Sequence, residues 1–537
     1  MKHLVKILFS VITIILLTSN CAKKGRPDGG KKDSLAPLMV TATPPYKSIH
    51  FKSNKIKISF DEYITLKNIT QQLVISPPLK YLPTITPQGT PSKSITIKLL
   101  DTLKPNTTYT FNFGNSIEDN NEGNKLPRFK YIFSTGSYID SLKIHGTVKD
   151  AFDKEFEKNI SVLLYKVDSS YTDSIIYKQK PNYVTNTLDS SLFNITNIQK
   201  GKYLLIALKD VSNNYLFNPK EDKIGVYKRF ITLPKDSIIE SSITLFKETP
   251  IFNLARPKEL SKGKITFGFE GDKEGMNIEV ISAVPTDFKS ISRFEKGKDT
   301  LNYWHSKINN DSLKFKVTVK NFIDTVTVYL RSKKIDSLKI NSNVTQTLHL
   351  KDTLTLVSNN PIIAIDTSKV IFIDKDTIKI PYTNLISKNN NKIQFLFDKK
   401  HKTRYKLTLL PQALTDILKT QNDTLNYNFS TKEPDDYGSI ILKVNNQSKS
   451  PLIVELLTPS KLTLVQRYFT SESKTLNFDL LAPGKYIIRV IVDKNNNGKW
   501  DSGNYLRKQV PEKVIYHTDI FDIRSNWHLQ DIKITIN

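Results

Sequence analysis

Asp493, Asn495, Asn497 and Asp501 alternate through "DKNNNGKWD", residues 493–501, around Gly498. Oxygen donors at this spacing are the chemistry of a calcium loop. Such a loop takes ligands from positions one, three, five, seven, nine and twelve, with glycine at six. Counted from Asp493, the side chains at one, three, five and nine are in place and Gly498 is sixth. Position twelve is Asn504, where a bidentate glutamate belongs. Two carboxylates favour weak binding at best. The preceding "YIIRVIV" reads as a strand, not as a helix entering a loop. Asn and Asp side chains also close turns by bonding their own backbone, and glycine admits a positive φ. We expect a polar turn between two strands, with a calcium site of Asp493, Asn495, Asn497 and Asp501 as the alternative.

Other catalytic patterns are missing from the sequence. There is no Gly-x-Ser-x-Gly elbow, no His-Glu-x-x-His and no phosphate loop. The histidines are scattered. The closest pair, His517 and His528, is expected at the surface. Asp61 and Glu62 in "FDEYI" could pair for hydrolysis, but a turn or cap role is the expectation. Trp500 and Trp527 could stack on sugar rings, although tryptophan in a sandwich more often fills a core. We expect no enzyme and no cofactor.

The elements that must position these residues are strands. "KIKISF" (55–60), "SITIKL" (94–99), "LKFKVTV" (313–319) and "DTVTVYL" (324–330) alternate polar and apolar residues. Clusters of Asn, Asp, Gly, Pro and Ser separate them. Helical periodicity is nearly absent; residues 61–73 and 411–419 could each hold a turn or two. The chain has 537 residues, of which 38 % are hydrophobic, enough for several cores. The expected fold class is all-β, a tandem array of β-sandwiches.

The chain also repeats. "TIKLLDTLKPNTTYTFNF" (96–113) lies on "KIQFLFDKKHKTRYKLTL" (392–409), which places Tyr109 on Tyr405. Tyr109 to Phe133 and Tyr405 to Phe429 are both 24 positions, and each interval holds an aspartate, Asp119 or Asp416. "GKYLLIALKD" from Gly201 likewise matches "GKYIIRVIVD" from Gly484. The order is therefore A, B, an unmatched middle, then A and B again. In the first B unit the Asp/Asn loop becomes "DVSNNYLFN", with Tyr215 in the glycine's place. That change favours the turn reading.

The A unit, with "PNTTYTF…FSTG", resembles the Ig-like domain named after the bacterial surface-layer protein SbsA. The B unit, with "F…L…GKY…D", is similar to prealbumin-like or carboxypeptidase-regulatory-like sandwiches. The start, "CAKKGRPDGGKKDSLAP", resembles lipoproteins of the Bacteroidota that carry this Ig-like domain. Lys2 and Lys6 precede an apolar run at 7–17, too short to span a bilayer as a helix, which needs roughly 20 residues. Cys21, the sole cysteine, follows directly, as in the lipobox of bacterial lipoproteins, where the cysteine carries the lipids. The resemblance implies an outer-membrane lipoprotein, facing the cell surface or the periplasm. Lys23 and Lys24 stand where surface-exported relatives often carry acids.

The expected organisation is a signal peptide (1–20), a lipidated tether (21–34) and an SbsA-type Ig-like domain (35–136). A prealbumin-like sandwich (137–240) and a sandwich of unassigned type (241–350) follow. A divergent Ig-like domain (351–433) and a second prealbumin-like sandwich (434–537) complete it. The formal charge is +27, mostly lysine mixed with 52 acids along the whole length. Lysine on strand edges protects against aggregation, so nucleic acid is not an expected partner. The expected partners are the membrane, through the lipid, and envelope proteins or polysaccharide. Two functions follow: a scaffold or adhesion rod of sandwiches, or a glycan- or protein-binding module.

Overall fold

The computed structural model describes residues 33–320, 322–387 and 391–537. Cys21 and the signal segment lie outside the described residues. The chain is all-β and divides into two compact units. One ends at Ser141 and takes in Asn197–Gln199; the other holds the rest from Leu142 to Asn537. Among the described residues no helix is long and apolar enough to cross a membrane.

The first unit is one sandwich. Its strand Lys55–Leu66 alternates as the sequence predicts: Ile56 and Ile58 are fully buried, while Lys55 and Lys57 are exposed. It runs antiparallel to Ser92–Lys98, so Ile56 faces Ile97 and Ile58 faces Ile95. Val74–Ser76, Thr108–Asn112 and Lys130–Ser134 form the facing sheet, and one apolar core joins the two. Tyr109 lies directly opposite Phe133 across neighbouring strands, with ring centroids 5.5 Å apart and planes at 20°. The Tyr109 hydroxyl accepts a hydrogen bond from the Lys104 N–H at 2.9 Å. Burying each ring is worth about 1.5–3 kcal/mol, and the stacked pair adds about 0.5–1.5 kcal/mol.

The second unit holds four sandwiches. The fourth in the chain repeats the first. Tyr405 lies opposite Phe429, centroids 5.4 Å apart and planes at 24°, and the Tyr405 hydroxyl accepts from the Lys400 N–H at 2.8 Å. The long strand of the first copy is split here into Leu354–Ser358 and Ile362–Ile365. Pro361 stands at the split, and proline cannot donate to a strand ladder. Ile362–Ile365 pairs with Leu414–Asp416. The helical turn expected at 411–419 is therefore a strand and turn. At 61–73 only Ile69–Gln72 is helical.

The second and fifth sandwiches share one topology. Ser161–Lys166, Gly201–Lys209 and Lys223–Val226 correspond to Leu452–Leu457, Gly484–Val492 and Val514–Tyr516. Each closes with a parallel pair, Ile243–Leu245 on Leu142–Asp150 and His528–Ile536 on Gly438–Asn446. Two expected boundaries move as a result. Ile243–Leu245 closes the second sandwich and does not open the third at 241. Ile340–Ser342 pairs with Leu354–Ser358 and so belongs to the fourth, not to the segment ending at 350. Neither strand carries a motif; only its pairing assigns it. The middle sandwich packs Lys264–Glu270 and Thr300–His305 against Ser312–Val319, with the Phe267 and Phe315 rings edge-on at 5.2 Å.

Candidate functional site

Asp493 follows the strand Gly484–Val492 and is almost wholly buried. Its Oδ1 accepts from the Asn497 N–H at 3.0 Å and its Oδ2 from the Gly498 N–H at 2.8 Å. Asn495 Oδ1 also accepts from the Asn497 N–H, and Asn497 Oδ1 from the Lys499 N–H. The side-chain N–H groups of both asparagines donate to Asp501 Oδ2. Each of the four predicted residues thus has at least one side-chain oxygen engaged by N–H donors of the loop itself. Gly498 has φ 76°, the left-handed region that glycine enters without strain.

The sequence reading missed a fifth participant, Glu512. Its Oε1 accepts from the Lys494 N–H at 2.7 Å and its Oε2 from the Asp501 N–H at 3.1 Å. Its own carbonyl accepts from Trp500 Nε1 at 3.0 Å. Burial pushes the Glu512 carboxyl above the usual range, the two N–H donors oppose this, and Asp501 and Asp493 push it further up. A signal was available. In both B units an acid–lysine pair, Asp222-Lys223 or Glu512-Lys513, leads into the next strand.

The first copy keeps part of this hydrogen-bond plan, although Asp210 Oδ1 is buried without the partner that Asp493 Oδ1 has. Asp210 Oδ2 accepts from the Tyr215 N–H at 2.6 Å. Asp222 accepts from the Val211 and Asn218 N–H groups, as Glu512 does from Lys494 and Asp501. Tyr215 adopts φ 62° where Gly498 stands in the other copy. Among the described residues no group of three or more His, Cys, Asp or Glu is arranged to hold a metal.

Asp61 Oδ1 accepts from the Leu38 N–H at 2.8 Å, a backbone tie. Burial raises the neighbouring Glu62 carboxyl, and the charges of Asp119, Asp61, Asp33 and Glu122 raise it further. His528 bonds Ser439 on one sheet of the fifth sandwich, while the His517 N–H donates to Ile488 on the other. Trp527 is exposed, beneath the Arg524 guanidinium.

Trp500 reaches the second sandwich. Its ring lies 4.9 Å from the Phe152 ring, which also sits 4.3 Å from the Arg489 guanidinium. Glu455, fully buried, holds Arg489 through Oε2 at 2.6 Å and Arg467 through Oε1. The Tyr516 hydroxyl donates to the Phe152 carbonyl at 2.9 Å, and the Tyr505 N–H donates to Glu248. An open cleft of about 730 Å³ adjoins these contacts, lined by both sandwiches. Lysines and carboxylates occur there in equal number, Glu512 among them. A strictly linear rod is therefore not the arrangement within this unit, because sandwiches two and five touch.

The profile described as a bacterial Ig-like domain matches residues 33–135. No curated protein matches the chain. Solved structures overlap at low similarity. Domains 1–6 of the surface-layer protein SbsC share 10 % identity over 91 % of this chain and 67 % of that one, at TM-score 0.15. Titin domains A168–A170 share 10 % over 51 % and 97 %, at 0.14. The Bacteroides ovatus mixed-linkage glucan utilization locus protein SGBP-B, solved with a mixed-linkage heptasaccharide, shares 9 % over 72 % and 94 %, at 0.20.

Proposed function

We propose that the chain is a non-enzymatic scaffold or adhesion protein of the bacterial cell envelope, held to the outer membrane by lipid on Cys21. One observation carries the non-enzymatic reading. Of the carboxylates that the sequence offered for chemistry, Asp61, Asp493 and Asp501 accept hydrogen bonds that fix backbone or close a loop, and Glu512 joins them in closing it. The bacterial Ig-like domain and its SbsA-type repeat support a cell-surface or periplasm-facing setting. Replacing Cys21 by Ser tests the anchor. The protein should move from the membrane fraction to the soluble fraction; unchanged partitioning into detergent sinks the anchor.

A second reading is a glycan- or protein-binding module of an envelope complex. The cleft between the second and fifth sandwiches favours it, since ligand sites form preferentially at domain interfaces. Its balanced charge suits a neutral, hydrogen-bonding partner. Nucleic acid is not a partner in either reading.

A further inference from the structure

The middle sandwich carries a groove of different character. The strand Lys258–Ser261 is the edge of one sheet and Phe322–Tyr329 the edge of the other. Between them lies a concave groove of about 380 Å³, lined by Arg256, Lys258, Thr327, Tyr329 and Arg331 among others. Among the described residues lining it, the one carboxylate is Glu259. Glu259 is already engaged, because its Oε2 accepts from the Ser332 N–H at 2.6 Å. Arg256, Lys258 and Arg331 are exposed, and none forms an ion pair among the described residues. The groove therefore presents three free cations, unlike the charge-balanced cleft between sandwiches two and five.

Its geometry narrows the ligand. The Arg331 guanidinium sits over the Tyr329 ring, 4.8 Å from its centroid, which holds a planar donor fork on one face of a half-exposed aromatic ring. Such a fork matches a carboxylate bidentately. The tyrosine face and the Thr327 hydroxyl offer a sugar ring both an apolar platform and a hydrogen bond. Thr325, Thr327 and Tyr329 follow one another on one exposed face of the strand, a track that suits a linear chain.

We propose that this groove binds an acidic polysaccharide, holding a uronate carboxylate with Arg256, Lys258 and Arg331 and a neighbouring sugar ring against Tyr329. The choice of ligand rests on the envelope reading above. The test uses the full chain carrying Cys21→Ser, without detergent, so that no lipid anchor contributes to binding. It compares polygalacturonate, a neutral glucan of similar length and phosphatidylglycerol vesicles by titration calorimetry. Polygalacturonate should bind, more weakly as salt is added, and the neutral glucan should not. The double variant Arg256→Gln/Arg331→Gln should lose about tenfold or more in affinity, as expected when charge-assisted contacts go, with unchanged melting. Lys57→Gln/Lys98→Gln, two exposed lysines of the first sandwich, should bind as the parent does. Equal loss in that control, no loss in the arginine variant, or binding to vesicles without binding to polygalacturonate would overturn the proposal. Partitioning of Cys21→Ser is read separately and does not depend on the groove, so failure of the anchor and failure of the groove are distinguishable.

Discussion

The Asp/Asn loops of the second and fifth sandwiches differ at the residues that matter to an ion and agree at those that matter to a turn. Gly498 becomes Tyr215 and Asp501 becomes Asn218, so a carboxylate and the glycine are both lost. Yet Asp210 and Asp493 each accept from the N–H five positions on, and Asp222 and Glu512 each accept two N–H bonds from equivalent places. What the two copies keep is the closure of backbone donors. That is the requirement of a tight turn folded around a buried carboxylate, where an unpaired N–H beside it is costly.

Core truncation gives the largest effect for testing whether the copies are equivalent. Phe133→Ala and Phe429→Ala should each cost about 3–5 kcal/mol in the sandwich affected, read as a lowered transition in scanning calorimetry of the full chain. An unchanged melting profile for either would break the correspondence of the A units. Next come Asp222→Ala and Glu512→Ala. Each leaves two N–H groups unpaired, at about 1–3 kcal/mol per group, so both should destabilise to a similar degree. If only one does, the loops are not equivalent.

The smallest effect is a difference in pH response between the A copies. Asp119 accepts from the Asn121, Glu122, Gly123 and Asn124 N–H groups; burial raises its carboxyl, and these donors more than offset it, leaving it below the usual range. Its contribution is present above the unfolded value and is lost as pH falls below about 4. Asp416 goes the other way: burial raises it and outweighs the Asn360 amide and the Thr420 and Leu418 N–H groups. Its ionised form is the disfavoured one in the fold, so its contribution is fullest at low pH and declines as pH rises above about 4. Melting of Asp119→Asn and Asp416→Asn across this range should show the parent's advantage shrinking in acid for the first and growing in acid for the second. Parallel trends would contradict the assignment.

Much of this was legible because local pattern and packing agree. Ile56, Ile58, Ile95 and Ile97 alternate in sequence and face one another in the sheet. Tyr109–Phe133 and Tyr405–Phe429 have equal spacing because each pair bridges the same two strands. What stayed hidden was set by long-range pairing. Glu512 reaches the loop only because Val514–Tyr516 lies beside Gly484–Val492. Ile243–Leu245 and Ile340–Ser342 carry no motif, so their membership follows from partners distant in the chain. Phe152 lies in an unremarkable polar segment, and nothing local foretells that Trp500 and Arg489 will enclose it.

The most direct test of the turn reading is a calorimetric scan of the full chain with excess calcium and with chelator. A closed hydrogen-bonded turn predicts superimposable transitions for the fifth sandwich. A bound ion would instead stabilise by mass action, about 2.7 kcal/mol at a hundredfold excess over the dissociation constant. A rise with calcium that Asp493→Ala abolishes would contradict the account.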